Sequence, residues 1–264
     1  MSPLVAITRE VSPGIGSCEL TYQERQPIDL ELTRSQHLQY ERALEELGCS
    51  VERLPAAPEL PDSVFVEDAA IVLDELAVIT LPGAESRRPE IEPIAAALRA
   101  YRHLEFVRAP GTLDGGDVLR LDKRLFVGLS FRTNEAAVEQ LRSIVEPFGY
   151  RVTSVPVRGC LHLKSAVTQV GRETLLINRQ WIDADAFGPV WLIDVDPAEP
   201  MAANALLIEK AVIYSSAFPR TRNRLERAGI AVHPVDASEL AKAEGGVTCC
   251  SLIFKGGQDH RIPR

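Results

Sequence analysis

LEFVRAPGTLDGGDVLRLDKRLFVGLS (104–130) contains, in order, an apolar run ending at a proline, a polar loop around TLDGGD, and a second apolar run broken by the turn DK. Short runs of Val, Leu and Phe bounded by Gly, Asp and Pro read as strands, and the loop reads as the crossing between them. The same phrase stands on either side of this stretch. It occurs as CSVERLPAAPELPDSVFVEDAAIVLDELAVITL (49–81), YRVTSVPVRGCLHLKSAVTQVGRETLLIN (150–178), VWLIDVDPAEPMAANALLIEKAVIYSS (190–216) and IAVHPVDASELAKAEGGVTCCSLIFK (230–255). Each loop carries one chemically notable residue: Asp68, Asp114, His162, Asn204 and Cys249, spaced 46, 48, 42 and 45 apart. Recurrence at a fixed period marks a repeat architecture. Five such units nearly exhaust the 264 residues, so residues 1–264 are expected to form one domain, with 255–264 as a disordered tail.

Amphipathic patterns lie between the units. TRSQHLQYERALEELG (33–48) puts Leu38, Ala43, Leu44 and Leu47 on one stripe and ends on Gly48. NEAAVEQLRSIVEPFG (134–149) offers Asn134 as an N-cap and ends on Gly149, and the shorter RTRNRLERAG (220–229) ends on Gly229. The last unit has no helix of its own and is expected to borrow the one at 33–48. The strand LVAITR (4–9) would then close a ring against it, leaving few exposed sheet edges. The expected fold is a closed α/β domain of five pseudo-repeats, with the five loop residues converging on its axis.

Composition narrows the function. Hydrophobic residues at 45% and charged residues at 25% are ordinary for a globular chain. A formal net charge of -8 disfavours nucleic-acid binding, which needs a basic face. No apolar run approaches the roughly 20 residues of a membrane span, and MSPLVAITREV lacks a basic n-region. A cytoplasmic protein without a membrane partner is expected. The five cysteines (18, 49, 160, 249, 250) show no C-x-x-C spacing, so neither disulfides nor a zinc site is expected.

The loop residues suggest chemistry. Cys249 in GGVTCCSLIF would be a buried structural thiol but for two features: Gly245 and Gly246 allow close backbone approach, and the repeat aligns it with the other polar loop residues. Cys250 should face the other way and be structural. His162 in GCLHLKS is a core histidine if taken alone; a thiol and an imidazole converging from separate units form an activated nucleophile pair. Asp62, Glu67 and Asp68 in PDSVFVEDAA, and Asp114 and Asp117 in TLDGGDVL, lie among apolar residues and need partners. A guanidinium suits them, with its N–H donors in a fixed fork. Such a cation would also offset the carboxylates that raise the thiol pKa. Arg87 or Arg88 in PGAESRRPE and Arg132 in LSFRTNE would then suit a substrate carboxylate.

Taken together in this order, PDSVFVEDAA, PGAESRRPE, TLDGGDVL, LFVGLSFRTN, GCLHLKS and EGGVTCCSL resemble the dimethylarginine dimethylaminohydrolase family of the guanidino-modifying (pentein) superfamily. The resemblance runs over essentially the whole chain and implies a closed five-bladed α/β propeller. It implies Cys249 as nucleophile, His162 as general acid/base with Asp114 in the catalytic set, and Asp68 and Asp114 holding the guanidinium with support from Glu67. It places the α-carboxylate on Arg87 and Arg132. The α-amino group would go to Asp62 and the backbone carbonyls near Leu20 and Ala243, with Glu244 where relatives carry an acid. Arginine deiminases of the superfamily have an aspartate two residues after the histidine; Lys164 stands there, as in the dimethylargininases. The loop REVSPGIGSCEL departs most from the family, and its Gly14 and Gly16 suggest a lid that moves.

The expected reaction is two-step covalent hydrolysis of a methylated arginine to citrulline, with no metal or organic cofactor and only a small-molecule partner, by a monomer or homodimer. Alternatives are a deiminase or an amidinotransferase of the same superfamily, or a non-enzymatic five-fold propeller like the ribosome anti-association factor. A zinc hydrolase is disfavoured because none of the five histidines has metal-ligand spacing.

Overall fold

A computed structural model of the chain describes residues 3–256. Strand β1 (Leu4–Arg9) is followed by helix α1 (Leu30–Glu46) and β2 (Cys49–Leu54). The chain then runs through β3 (Ala70–Val72), β4 (Leu76–Ile79), helix α2 (Ile91–Leu98) and β5 (His103–Phe106). Next come β6 (Val118–Leu121), β7 (Arg124–Leu129), α3 (Glu135–Val145), β8 (Arg151–Pro156), the short α4 (Leu163–Ala166), β9 (Val167–Gly171), β10 (Thr174–Ile177) and β11 (Trp191–Asp194). The last part holds β12 (Ala205–Ile208), β13 (Ala211–Ser215), α5 (Pro219–Arg227), β14 (Ala231–Val235), the short α6 (Ser238–Ala241) and β15 (Leu252–Lys255).

Among the described residues these strands form five three-stranded sheets, each with one antiparallel and one parallel pair. β1 is the middle strand of its sheet, with β15 antiparallel on one side and β2 parallel on the other, so the first strand does meet the last unit. The sequence repeat and the sheet are offset by one strand. β2 opens the first repeat but pairs with β1, while β3 and β4 of that repeat take β5 from the next. Every repeat therefore begins in one sheet and ends in the following one, and its polar loop is the crossing.

The sheets pack on their neighbours. Ile71 and Val78 share an apolar cluster with Val118 and Val127, and Leu119 and Val155 share one with Val167 and Leu175. Val170 packs with Val212, and Ala6 of the first sheet packs with Ile208 and Ile213 of the fifth. Burying a Val, Leu or Ile side chain contributes roughly 1.5–3 kcal/mol. This explains why β4, LAVI, and the LLI of β10 are buried on both faces instead of alternating.

The helices end where the glycines stand: Gly48, Gly149 and Gly229 have φ of 91°, 79° and 81°, the left-handed region where a Cβ is penalised. Asn134 caps α3 by accepting from the Ala137 N–H. The stripe expected on α1 needs correction. Leu38 is exposed, and the buried face carries Thr33, Gln36, His37, Tyr40 and Glu41 with Ala43 and Leu44. Most of those polar groups are paired: Thr8 donates to Glu41 at 2.7 Å, Gln36 to Ser238 at 2.8 Å, and the Tyr40 and Ser251 hydroxyls meet at 2.6 Å, while His37 Nε2 has no hydrogen-bond partner. The connection from β10 to β11 uses only a 3-10 turn, Ala184–Phe187, anchored by the buried Phe187. Of the expected tail, Lys255 ends β15 and Gly256 donates to the Pro3 carbonyl at 2.9 Å; residues 257–264 lie outside the described residues. No helix among the described residues is long and apolar enough to cross a membrane.

Candidate active site

Because each repeat crosses between sheets at its loop, the five loop residues occupy equivalent positions. Asp68 lies in the turn before β3, Asp114 just before β6, His162 before α4, Asn204 before β12 and Cys249 before β15. The structure brings them together. His162 Nε2 meets Asp114 Oδ2 at 3.0 Å, and its Nδ1 faces Asp68 Oδ1 at 3.9 Å. All three residues are buried. Asp68 accepts from the Gly116 N–H at 3.0 Å and from Arg87 Nη1 at 2.7 Å.

The electrostatics follow from that packing. Burial alone would lower the His162 pKa, but Asp68, the hydrogen bond to Asp114, and Asp117 outweigh it and raise it to about 9. For Asp68, burial is outweighed by His162 and Arg87, which bring its carboxyl down to about 2. Asp117, left without a role in the sequence, is fully buried and holds the histidine loop. It accepts from the Leu163 N–H at 2.9 Å, Ser130 at 2.6 Å and Thr133 at 2.7 Å. Burial pushes its carboxyl up to about 6 against those partners and His162.

The thiol stands on the other side. Cys249 Sγ accepts from the Gly246 N–H at 3.3 Å and lies 4.0 Å from the Thr248 hydroxyl. Cys249 is half-buried, whereas Cys250 is buried with its thiol toward the Gly246 carbonyl at 3.8 Å. Burial, then Glu67 and Asp68, push the Cys249 thiol up to about 12. Among the described residues no hydrogen bond joins Cys249 to His162; Asp68 lies 3.9 Å from the imidazole and is one of the charges that act on the thiol.

Lys164 and Asn204 acquire roles that spacing did not show. Lys164 Nζ donates to Glu67 Oε1 at 2.6 Å, and the Thr248 hydroxyl donates to Oε2 at 2.8 Å. Both Glu67 oxygens are thereby engaged, leaving Asp68 and Asp114 as the acids nearest the imidazole. Asn204 donates to the Lys164 carbonyl at 3.1 Å and to the Thr248 hydroxyl at 3.0 Å, and accepts from the Thr248 N–H at 3.1 Å. It clasps the histidine segment to the cysteine segment.

The two arginines differ. Arg87 is buried and fully committed, to Glu90 at 2.9 Å, Asp68 at 2.7 Å and the Asp62 and Phe65 carbonyls. It positions Asp68. Arg88 pairs at the surface with Glu85. Arg132 is buried with Nη1 lacking a hydrogen-bond partner, 3.8 Å from Asp114, and only a long contact of 3.4 Å from Nη2 to Thr21. A buried, unpartnered guanidinium nitrogen costs free energy until an acceptor arrives. Asp62 accepts from the Glu19 N–H at 3.1 Å, and burial raises its pKa. Leu20 packs against the cluster that contains Ala243.

Glu244 is turned to another task. With φ of 59°, its carboxylate accepts from the Thr21, Tyr22 and Gln23 N–H groups at 3.0, 2.5 and 2.6 Å. Arg25 fastens the same loop through the Gly16 and Cys18 carbonyls, both at 2.6 Å. The glycine-bearing loop is therefore tied down over the site at several points. Asp68, Asp114 and His162 offer ligand atoms within 4.8 Å of one another, a spacing that a divalent cation could use. Such an ion would have to displace the proton that keeps His162 cationic up to about pH 9.

A family model described as N,N dimethylarginine dimethylhydrolase, eukaryotic, matches residues 19–187. An N(G),N(G)-dimethylarginine dimethylaminohydrolase of Streptomyces coelicolor is 40% identical over 251 residues, covering 95% of this chain and 96% of that protein. The crystal structure of the Pseudomonas aeruginosa enzyme, a cysteine-to-serine mutant complexed with citrulline, superposes with a TM-score of 0.91 at 33% identity. It covers 96% of this chain and 100% of that one. A dimethylarginine dimethylaminohydrolase with a histidine-to-glycine change, solved as an adduct with S-methyl-L-thiocitrulline, gives a TM-score of 0.91 at 34% identity, with coverage of 96% and 100%.

Proposed function

The chain belongs to the dimethylarginine dimethylaminohydrolase family, and from that premise we propose that it hydrolyses Nω-methylated arginines to citrulline and a methylamine through a covalent adduct on Cys249. The observation that carries the mechanism is that the crossings bearing His162 and Cys249 share Asp68: it lies 3.9 Å from the imidazole, acts on the thiol, and has Asp114 on the other side of the ring. A guanidinium entering between thiol and imidazole meets Asp68 and Asp114, carboxylates already set in place by Arg87, His162 and Arg132. Its charge offsets the carboxylates that keep the thiol protonated, and thiolate forms in the complex.

The thiolate attacks the guanidinium carbon. The bond from that carbon to the methylated nitrogen breaks as the nitrogen takes a proton from His162, whose pKa near 9 keeps it charged at neutral pH. An S-alkylthiouronium remains. Neutral His162 then takes a proton from water, the resulting hydroxide adds to the same carbon, and the C–S bond breaks as the new hydroxyl releases its proton to solvent, returning thiolate and citrulline. We assign the α-carboxylate to Arg132, whose Nη1 awaits a partner, and the α-amino group to Asp62 and the carbonyls of Leu20 and Ala243. Arg87 acts through Asp68, and Glu244 acts through the loop at 21–23. Lys164 favours methylated substrates: with Glu67 engaged, fewer acceptors remain, and a dimethylated nitrogen has no N–H to satisfy.

We also propose that the five sheets close into a five-bladed α/β propeller forming one domain, supported by apolar clusters that join each sheet to the next and the fifth to the first. Free thiols at all five cysteines suit a reducing, cytoplasmic setting. Citrulline release from asymmetric dimethylarginine, monomethylarginine and arginine tests the reaction. Turnover of the methylated substrates is expected; release from arginine alone would move the chain's activity to that of a deiminase.

A further inference from the structure

Beside Cys249 lies a cavity of about 520 Å³, a size that takes a small organic ligand. It opens between the loop preceding His162, at Gly159–Leu161, and the loop preceding Cys249, at Gly245–Val247, and Met201, Ala217 and Phe218 form its outer wall. The acids that would hold a guanidinium are not among its walls. Its charged side chains are engaged: Glu244 accepts from three backbone N–H groups, and Lys242 donates to Glu239 at 2.7 Å. Asn204 clasps Thr248, Ser215 accepts from the Ala217 N–H, and Gln23 donates to the Ala241 carbonyl, which leaves the hydroxyls of Tyr22 and Ser165 as the open polar groups of the wall. A ligand portion here finds no free charge to pair with, so the cavity disfavours a charged group and suits an uncharged one.

The occupant follows from the reaction, and this inference rests on the proposed function. The departing nitrogen must lie next to His162 while its carbon lies next to the thiol. Cys249 and the segment leading to His162, Gly159–Leu161, both line the cavity, so it offers room for groups attached to that nitrogen. We propose that this cavity is a subsite for apolar Nω substituents larger than methyl, so that the chain hydrolyses Nω-alkyl arginines at least as long as butyl. Each buried methylene is worth roughly fourfold in binding, so KM should fall as the substituent lengthens.

The test compares citrulline release from Nω-methyl-, Nω-propyl- and Nω-butyl-arginine by the full chain and by Ala217→Trp, a change on the exposed outer wall away from the reacting groups. The butyl compound is expected to reach a kcat/KM within about tenfold of the methyl one. The tryptophan should cost the butyl compound at least tenfold and leave methyl turnover unchanged. Butyl turnover below a hundredth of methyl, or butyl turnover indifferent to the tryptophan, overturns the subsite. A second readout does not depend on turnover: the rate of Cys249 alkylation by N-phenyl iodoacetamide relative to iodoacetamide, followed by mass spectrometry. A preference for the phenyl reagent that Ala217→Trp abolishes is expected, and equal rates overturn the subsite. If no guanidine releases citrulline while that preference holds, the failure belongs to the proposed reaction and not to the cavity.

Discussion

Two glycine pairs, Gly115–Gly116 and Gly245–Gly246, stand next to Asp114 and just ahead of Cys249, yet they make opposite surroundings. At the first pair, a Cβ on Gly116 would lie 2.8 Å from both Asp68 Oδ1 and His162 Nδ1, and one on Gly115 would run into the Glu67 carbonyl. At the second, a Cβ on Gly246 would strike the Asn204 amide at 2.5 Å and one on Gly245 the Phe65 ring at 2.2 Å, contacts that touch neither acid nor imidazole, and the loop borders a cavity. The first lets carboxylates and imidazole pack until each is paired and buried. The second brings a thiol beside the same acids while leaving it accessible. The difference separates charge storage from bond making: one side of the site is fixed before substrate arrives, the other is completed by it.

The most severe way to break that division is Cys249→Ser. Turnover should fall by at least about 10⁴-fold, because a hydroxyl is a far poorer nucleophile at this position. Binding of a methylated arginine, read by calorimetry, should persist because the acids and Arg132 are untouched. Turnover within tenfold of the parent would remove the covalent step. Next come the glycines. Gly116→Ala should lower kcat by about 10²–10³-fold through displacement of His162 and Asp68, whereas Gly246→Ala should cost only about tenfold, since it displaces the Asn204 clasp and neither acid nor imidazole. Equal losses would mean the two sides are equally rigid.

How much of this was legible in the sequence is clear at the same residues. The period of the loop residues located all five crossings, because a chain that passes from sheet to sheet at a constant interval brings equivalent positions together. The offset between repeat and sheet was not legible, since strand pairing depends on which neighbour is reached in space. Nor could spacing distinguish Arg87, saturated by Glu90 and Asp68, from Arg132, which has an unpartnered Nη1. Both are arginines in polar loops, and only packing decides what each guanidinium meets. The buried face of α1 escaped for a related reason: Gln36, Tyr40 and Glu41 are paired across the fold, so apolar periodicity misplaced the stripe onto Leu38. Asp117 carried a signal, an acid in an apolar run after two glycines, whose meaning as an anchor for Leu163 needed the third dimension.

Removing one charge from each side should move different titrations. His162 is protonated, and able to donate, below its pKa near 9, so kcat/KM should fall as pH rises through about 9. Asp117 helps hold that pKa up. In Asp117→Asn the descending limb should shift to lower pH, by up to roughly one unit. Glu67 instead raises the thiol pKa, so Glu67→Gln should increase thiolate at a given pH and speed Cys249 alkylation in the resting protein by up to about tenfold. A shift of the descending limb in Glu67→Gln as large as that in Asp117→Asn would show that the two sides titrate as one group.

The smallest expected effect probes the link between the sides. Asn204 is the one repeat residue without a chemical role, yet its amide holds the Lys164 carbonyl and both polar groups of Thr248. One segment carries the proton donor two residues earlier, and the other carries the nucleophile one residue later. Hydrogen bonds of this kind contribute about 1 kcal/mol each to stability, and losing three in Asn204→Ala should lower the melting temperature by roughly 5–10 °C. The consequence for rate should be larger than for binding. With the segments free to separate, kcat should fall about fivefold to tenfold while KM stays within about twofold, because Arg132 and Asp62, assigned to the amino-acid end, make their contacts with groups other than Asn204. A loss confined to KM would instead place Asn204 in substrate binding, and the separation of imidazole and thiol would then be set by the sheets alone.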